Sequence, residues 1–285
     1  MAEFPLPARL AEKCRQDPDK AQWLARLPAV VAELVERWGL HLSAPYEQEV
    51  SCAWVAPATL GNGAPAVLKV GLPHMEAREE IEGLCCWDGE PTVRLLESDK
   101  ECNALLLERC EPGTPLRALP EPEQDVILAG LLGRLWRIPP EPHPFRPLAE
   151  MTAYWSEESL AGADTWPDTG LAQAGLELFW ELPLSAPDHA LLATDLHAGN
   201  VLCAQRQPWL VIDPKPFVGD PAFDLTQHLL NCKGRLAADP AGFIRRLAEL
   251  CGVEEERVRL WTFARLAAEH DSWHGTHALT RALAP

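Results

Sequence analysis

Nowhere in the 285 residues is there a run of about 18 consecutive apolar side chains, the length a helix needs to cross a bilayer. The opening MAEFPLPARLAEKCRQDPDK has no basic segment leading into an apolar stretch, so no export leader is expected and the chain reads as cytoplasmic. Cys-x-x-Cys is missing too: nine cysteines are scattered, only Cys85 and Cys86 are adjacent, and reduced, mostly buried thiols rather than a zinc site are expected. No polar low-complexity tract suggests disorder, and no internal repeat is visible. Positive charge is scarce. Lys and Arg number 25 against 42 Asp and Glu, and the net charge of −17 repels nucleic-acid phosphates and anionic lipid while attracting cationic small molecules. Neither a nucleic acid nor a membrane is therefore expected as partner, and nothing indicates an obligate protein partner.

What remains is a chain with 47% hydrophobic and 24% charged residues, long enough for one large domain or two modest ones. From Lys20 to Trp38 apolar residues recur at three and four, which predicts an amphipathic helix ended by Gly39 and bent or divided at Pro28. Two strands, Glu49 to Pro57 and Pro65 to Gly71, flank a turn at Gly61-Asn62-Gly63, and the second carries Lys69. A helix over His74 to Trp87 would hold Glu76, Glu79, Glu80 and Glu82. The stretches PTVRLLES and NALLLERC then read as strands, and EPGTPL is the candidate hinge.

Beyond the hinge the pattern is mainly helical: Leu128 to Ile138, an extended proline-rich connector, then Leu148 to Ala161 and Leu171 to Leu182. Two short strands, Val201 to Ala204 and Trp209 to Ile212, precede helices at Pro221 to Cys232, Ala241 to Cys251 and Glu254 to Leu283. The order predicts an α+β chain, with a strand-rich N-terminal part over 1–110 and a helical part over 111–285.

The residues with chemistry cluster in LLATDLHAGNVLCAQRQPWLVIDPKPFVGDPAFDL, Leu191 to Leu225. Asp195 and Asn200 lie on a loop leading into one strand, and Asp213 ends the next, so all three can reach one cleft. A carboxylate beside an amide oxygen makes a hard, oxygen-rich site suited to Mg²⁺, which prefers one or two carboxylates plus substrate phosphates. That leaves Asp195 to orient a hydroxyl or accept its proton. Such a set suits phosphoryl transfer, which rests on positioning and charge neutralisation and calls for a basic residue on the donor side. Lys69 has that character, with an acidic residue on the following helix to hold it.

TDLHAGNVL followed by WLVIDPKPFVGDPAFDL resembles the catalytic loop and metal-binding segment of the aminoglycoside phosphotransferases, whose fold is protein-kinase-like. VLKV, EEIEGLCCWDGEPTVRLL and ALLLERCEPGTPL are most similar to the streptomycin 6-kinase and hydroxyurea kinase group. The resemblance covers roughly Ser51 to Cys232. It implies a two-lobed fold, with a small antiparallel-sheet lobe and a larger helical one, and an ATP- and Mg²⁺-dependent O-phosphotransferase that confers antibiotic resistance. Asp195 then matches the base, Asn200 and Asp213 the Mg²⁺ ligands, and Lys69 the lysine on the donor phosphates. Glu80 best matches that lysine's partner, with Glu79 left open one position away. The resemblance also makes Glu108, Arg109 and Cys110 the adenine-binding hinge, and His197 the Asp-x-His histidine. Asp220 and Asp224 match an element that braces the loop, Asp220 also reading as a helix N-cap ahead of Pro221.

For a cationic, hydroxyl-bearing acceptor of the streptomycin type, Glu157, Glu158, Asp164, Glu269, Asp271 and His274 are candidate wall residues, with Trp155, Trp166 and Trp273 as candidate borders. Two departures bear on activity. The histidine usual two residues before the base is Ala193, and EVSCAWV lacks the Gly-x-Gly-x-x-Gly of protein kinases. Alternatives thus stay open: a kinase for another acceptor such as hydroxyurea, a degenerate kinase fold that binds nucleotide or drug without efficient turnover, or a metal-dependent hydrolase using Asp195, His197 and Asp213.

Overall fold

The computed structural model describes residues 4–15, 17–47, 52–268 and 276–285. Contacts divide the chain into two compact units, Met1–Gly113 and Thr114–Pro285, the division falling inside the proline- and glycine-bearing segment after Cys110.

In the first unit, helices α1 (Ala8–Arg15) and α2 (Pro18–Trp38) precede a sheet built from β1 (His41–Leu42), β2 (Ala53–Thr59), β3 (Pro65–Gly71), β4 (Leu95–Asp99) and β5 (Ala104–Glu108). The strand order is β1-β2-β3-β5-β4, every pair antiparallel. α2 starts at Asp17, whose carboxylate accepts the Asp19 and Lys20 N–H groups, and ends at Gly39 in the left-handed region (φ 62°). It is not divided at Pro28. That proline lies on the exposed side, where the carbonyl it leaves without an N–H can meet water.

The second residue pattern to change is that of the helix expected over His74 to Trp87. A 3-10 turn occupies Met75–Ala77, and α3 begins only at Glu80 and ends at Trp87, because Glu79 (φ −105°, ψ 20°) is not helical. β3 alternates as a covered strand should: Leu68 and Val70 join the core formed with α1, α2 and Trp54, while Lys69 faces the other side.

In the second unit a 3-10 turn at Leu116–Ala118 precedes α4 (Glu121–Leu135), which starts seven residues earlier than the apolar run alone predicts, with Pro122 in its first turn. Helices α5 (Leu148–Ala161) and α6 (Thr169–Leu184) follow the connector. Two small antiparallel pairs come next: β6 (Ala190–Leu192) with β9 (Phe217–Gly219), and between them in sequence β7 (Val201–Cys203) with β8 (Trp209–Val211). Then come α7 (Pro221–Asn231), α8 (Lys233–Ala238), α9 (Pro240–Cys251), α10 (Glu255–Ala268) and α11 (His277–Leu283). The helix expected over Glu254 to Leu283 is therefore not single: α11 starts afresh after Thr276 (φ −110°, ψ −3°).

α10 is buried on all sides from Trp261 to Ala268 and lies against α6 and α7, so it forms the axis of the helical core. Among the described residues no helix is long and apolar enough to cross a membrane, and all nine cysteines are free thiols.

Candidate active site

In the first unit, Lys69 Nζ sits 2.6 and 2.7 Å from the two oxygens of Glu80, with both side chains nearly withdrawn from water. The spacing left Glu79 and Glu80 open, and the late start of α3 is what turns Glu80 toward the lysine. A buried ion pair of this kind holds one geometry, and removing either member leaves an uncompensated charge at a cost of about 3–5 kcal/mol. Glu108 closes β5 opposite Ala66, its N–H donating to the Arg94 carbonyl at 2.9 Å. Arg109 approaches Glu111 at 4.0 Å, and Cys110 is buried just before the turn at Gly113.

In the second unit, β6 delivers the chain to Ala193, and the backbone then turns sharply at Thr194. Thr194 has φ 45°, a left-handed conformation that a β-branched residue rarely adopts, and Asp195 N–H reaches back to the Ala193 carbonyl at 2.6 Å. Such a residue persists only where its surroundings over-determine it. Here Asp224 on α7 accepts the N–H of Ala193 (3.1 Å) and of Thr194 (2.8 Å), together with the Trp136 indole N–H (3.0 Å). The Thr194 hydroxyl donates to the Lys215 carbonyl at 2.6 Å, and the Lys215 N–H donates to the Ala193 carbonyl at 2.8 Å. Asp220 caps α7 through the Ala222 N–H at 3.0 Å, while its other oxygen accepts from Trp261 and Arg257.

The turn presents Asp195. Its Oδ1 accepts the Gln227 amide N–H at 2.6 Å, its Oδ2 lies 3.4 Å from Asn200 Nδ2, and its main-chain oxygen accepts from the same Nδ2 at 3.0 Å. Burial pushes the Asp195 carboxyl above the ordinary range. The neighbouring His197 and the Lys215 ammonium oppose that shift, and the negative charge of Asp213 adds to it. His197 Nδ1 accepts the Gly199 N–H at 3.0 Å, which assigns the proton of the neutral ring to Nε2, 4.0 Å from Asp195 Oδ1. Position 199 must be glycine for this arrangement, since a Cβ there would stand 2.7 Å from the imidazole.

Asn200 and Asp213 reach the same end of the β7–β8 hairpin. Val201 pairs with Val211, and one step further the Ile212 N–H donates to the Asn200 carbonyl at 2.9 Å. Because Asn200 Nδ2 is engaged with Asp195, the amide oxygen is the end left to meet a cation. Asp213, itself at φ 53°, already accepts a cation, the Lys215 ammonium. One carboxylate and one amide oxygen fit the incomplete set Mg²⁺ prefers when phosphates supply the rest. Among the described residues no group of three His, Cys, Asp or Glu could hold a metal without such help.

The sequence reading passed over three residues here: Gln227, Lys215 and Arg265. Gln227 carried a usable signal, lying one turn beyond Asp224 on the same helix. Glu157 and Glu158 stand on the exposed side of α5, Glu158 accepting the Tyr154 hydroxyl at 2.7 Å, and Asp164 is exposed as well. Glu269, Asp271, Trp273 and His274 lie outside the described residues. Trp155 packs among Phe179 and Phe223 with the Arg265 guanidinium over its ring, and the buried Trp166 Nε1 has no hydrogen-bond partner among the described residues.

The α+β architecture and this loop define a protein of the protein-kinase-like fold. The fold matches that of choline kinase from Streptococcus pneumoniae with a TM-score of 0.62 and 15% identity, over 88% of this chain and 92% of that one. Residues 38–275 match the family described as aminoglycoside/hydroxyurea antibiotic resistance kinase. The chain is 36% identical to streptomycin 6-kinase of Streptomyces griseus, covering 92% of this chain and 87% of that protein. It is 37% identical to hydroxyurea phosphotransferase of Kitasatospora aureofaciens, covering 86% and 72%. The chain belongs to the aminoglycoside/hydroxyurea antibiotic resistance kinase family and is a small-molecule phosphotransferase.

Proposed function

We propose that the protein transfers the terminal phosphoryl group of ATP to a hydroxyl of a streptomycin-type aminoglycoside, at the position named for its relatives, the 6-hydroxyl. One observation carries the chemistry: a buried carboxylate, Asp195, hydrogen-bonded by Gln227 and Asn200 and pushed toward basicity, stands beside a hairpin end bearing Asn200 and Asp213. Asp195 orients the acceptor hydroxyl and takes its proton as the oxygen attacks. Asn200 and Asp213 would hold Mg²⁺, which when bound neutralises charge on the donor phosphates. Lys69, fixed by Glu80, would meet those phosphates, and the Glu108, Arg109 and Cys110 segment would receive the adenine.

The acceptor's cationic groups suit a chain of net charge −17, with Glu157, Glu158, Glu269 and Asp271 as candidate partners. Localisation in the cytoplasm is consistent with this reading, since ATP is there. The identity to hydroxyurea phosphotransferase keeps hydroxyurea as the second acceptor to test. A fold that binds without turnover is disfavoured by the bracing around Ala193: Asp224 and Lys215 hold the loop's backbone where a histidine would otherwise contribute.

The test is ADP release with streptomycin, hydroxyurea, choline and glucose as acceptors, with the phosphorylated atom located by phosphorus-coupled NMR. Streptomycin should accelerate turnover and glucose should not; equal stimulation by all four sinks the acceptor reading. Asp195→Asn should lower kcat by about 100-fold or more while nucleotide affinity survives. Asp213→Asn should weaken Mg²⁺-dependent nucleotide binding, partly recovered by added metal. Identical calorimetric profiles for the two variants would refute this division of roles.

A further inference from the structure

Asp195 receives its shortest side-chain hydrogen bond from Gln227, 32 residues away, and the carboxamide that donates it is ambiguous by itself. An amide has one end that donates and one that accepts, and the wrong end would set oxygen against oxygen. The far side of Gln227 removes the ambiguity. Arg265 Nη1, which can only donate, lies 2.8 Å from Gln227 Oε1 and 3.0 Å from the Thr226 hydroxyl. The guanidinium is buried and held between aromatic faces, 5.3 Å from the Trp155 ring centre and 5.4 Å from that of Phe223. A donor-only group fixed on Oε1 leaves Nε2 to face Asp195.

We propose that Gln227 is a positioning residue for Asp195, and that Arg265 sets the polarity of its amide so that Oδ1 is anchored, while Oδ2, with only the long 3.4 Å contact to Asn200 Nδ2 among the described residues, serves the acceptor hydroxyl. The placement also explains why an amide and not a cation touches Asp195. A guanidinium in direct contact would stabilise the carboxylate's charge and weaken it as a proton acceptor, whereas the interposed amide gives direction without a full charge. Gln227 and Arg265 come from α7 and α10, two helices packed directly against each other, so the anchor is rigid. The inference rests on reading Asp195 as the acceptor-side base.

The experiment compares Gln227→Met, Gln227→Glu and Arg265→Met with the wild-type chain, each with and without Asp195→Asn, in streptomycin phosphorylation and by crystallography. Gln227→Met keeps length and removes the donor. Gln227→Glu keeps a partner for Arg265 and so guards against misfolding, yet offers Asp195 no N–H. Both should lower kcat about 10-fold with KM for both substrates within about 2-fold, the mark of an interaction that matters in the transition state. In the Asp195→Asn background neither should lower kcat further. Crystals of Gln227→Met should show the Asp195 carboxylate rotated from its wild-type orientation. Wild-type kcat in both Gln227 variants beside a dead Asp195→Asn would overturn this inference alone, as would an unmoved Asp195 in the crystals. An active Asp195→Asn would overturn the base reading and the inference with it.

Discussion

Two aspartates of the helical unit are both withdrawn from water, yet their neighbours differ in kind. Asp125 on α4 meets two cations, Arg235 at 2.8 and 2.9 Å and Arg246 Nε at 2.7 Å, with His228 Nε2 also 3.0 Å away. Among the described residues Asp224 on α7 meets neutral donors, two backbone N–H groups and an indole. The consequences for ionisation are opposite. Burial alone would raise the Asp125 carboxyl, but the hydrogen bonds from His228, Arg235 and Arg246 overcome it and hold the group well below the usual carboxylate range. Burial pushes Asp224 up to about 6 despite its three N–H donors, with the nearby negative charge of Asp220 adding to the effect. Cations around a carboxylate clamp helices together; neutral donors around a carboxylate shape a loop.

The largest expected effect breaks the first region. Asp125→Ala leaves two arginines facing each other across α4, α8 and α9 and should cost about 3–5 kcal/mol, the range for removing one partner of a buried ion cluster. Denaturant unfolding measures the loss. Turnover per folded molecule should stay near wild type, and a selective loss of kcat would mean that the clamp also governs the active site. Because the Asp125 pKa is depressed, its contribution is present above the ordinary value of 3.8 and is lost as pH falls through the folded value.

Next comes the second region. Asp224→Asn must set its NH₂ against one of the N–H donors, leaving a buried donor unsatisfied at about 1–3 kcal/mol. Turnover should fall more than stability predicts, because the Ala193–Thr194 turn presents Asp195. The pH signs also separate the two aspartates. Between 3.8 and about 6 the folded chain holds a proton on Asp224 that the unfolded chain has released, so stability falls as pH rises through that window. Urea midpoints between pH 4 and 7 for wild type and Asp224→Asn should therefore lose this slope in the variant. An unchanged slope would show that Asp224 is ionised throughout.

Which parts of this were readable from the chain follows from distance along it. α5, β3 and the end of α2 at Gly39 came from local periodicity and a glycine cap, and they stand where the pattern placed them. Asp195, Asn200 and Asp213 sit in one short stretch, so spacing suffices to gather them. Glu79 and Glu80 could not be separated by periodicity, because the non-helical backbone at Glu79 decides between them and polar spacing does not encode it. Gln227 meets Asp195 across 32 residues and Asp125 meets Arg246 across 121. Such contacts depend on how helices dock, which no single-sequence period carries. The left-handed Thr194 is least readable of all, since its type argues against its conformation and only the surrounding hydrogen bonds hold it there.

That residue supplies the smallest expected effect and the finest test of the contrast, because it asks whether the neutral-donor region depends on a single hydroxyl. Thr194 Oγ1 is buried and donates to the Lys215 carbonyl, tying the turn before Asp195 to the segment after Asp213. Thr194→Val keeps the shape but deletes the donor and leaves that carbonyl one partner short, so about 1 kcal/mol of stability should go, with kcat falling in step as the turn loosens. Thr194→Ser keeps the hydroxyl and drops the γ-methyl, which eases the left-handed backbone, so stability should shift by no more than about 0.5 kcal/mol and kcat should hold. Thermal unfolding and steady-state kinetics on the pair decide it. If valine and serine behave alike, the turn is held by Asp224 and the Lys215 N–H, and the Lys215 carbonyl contributes nothing to presenting Asp195.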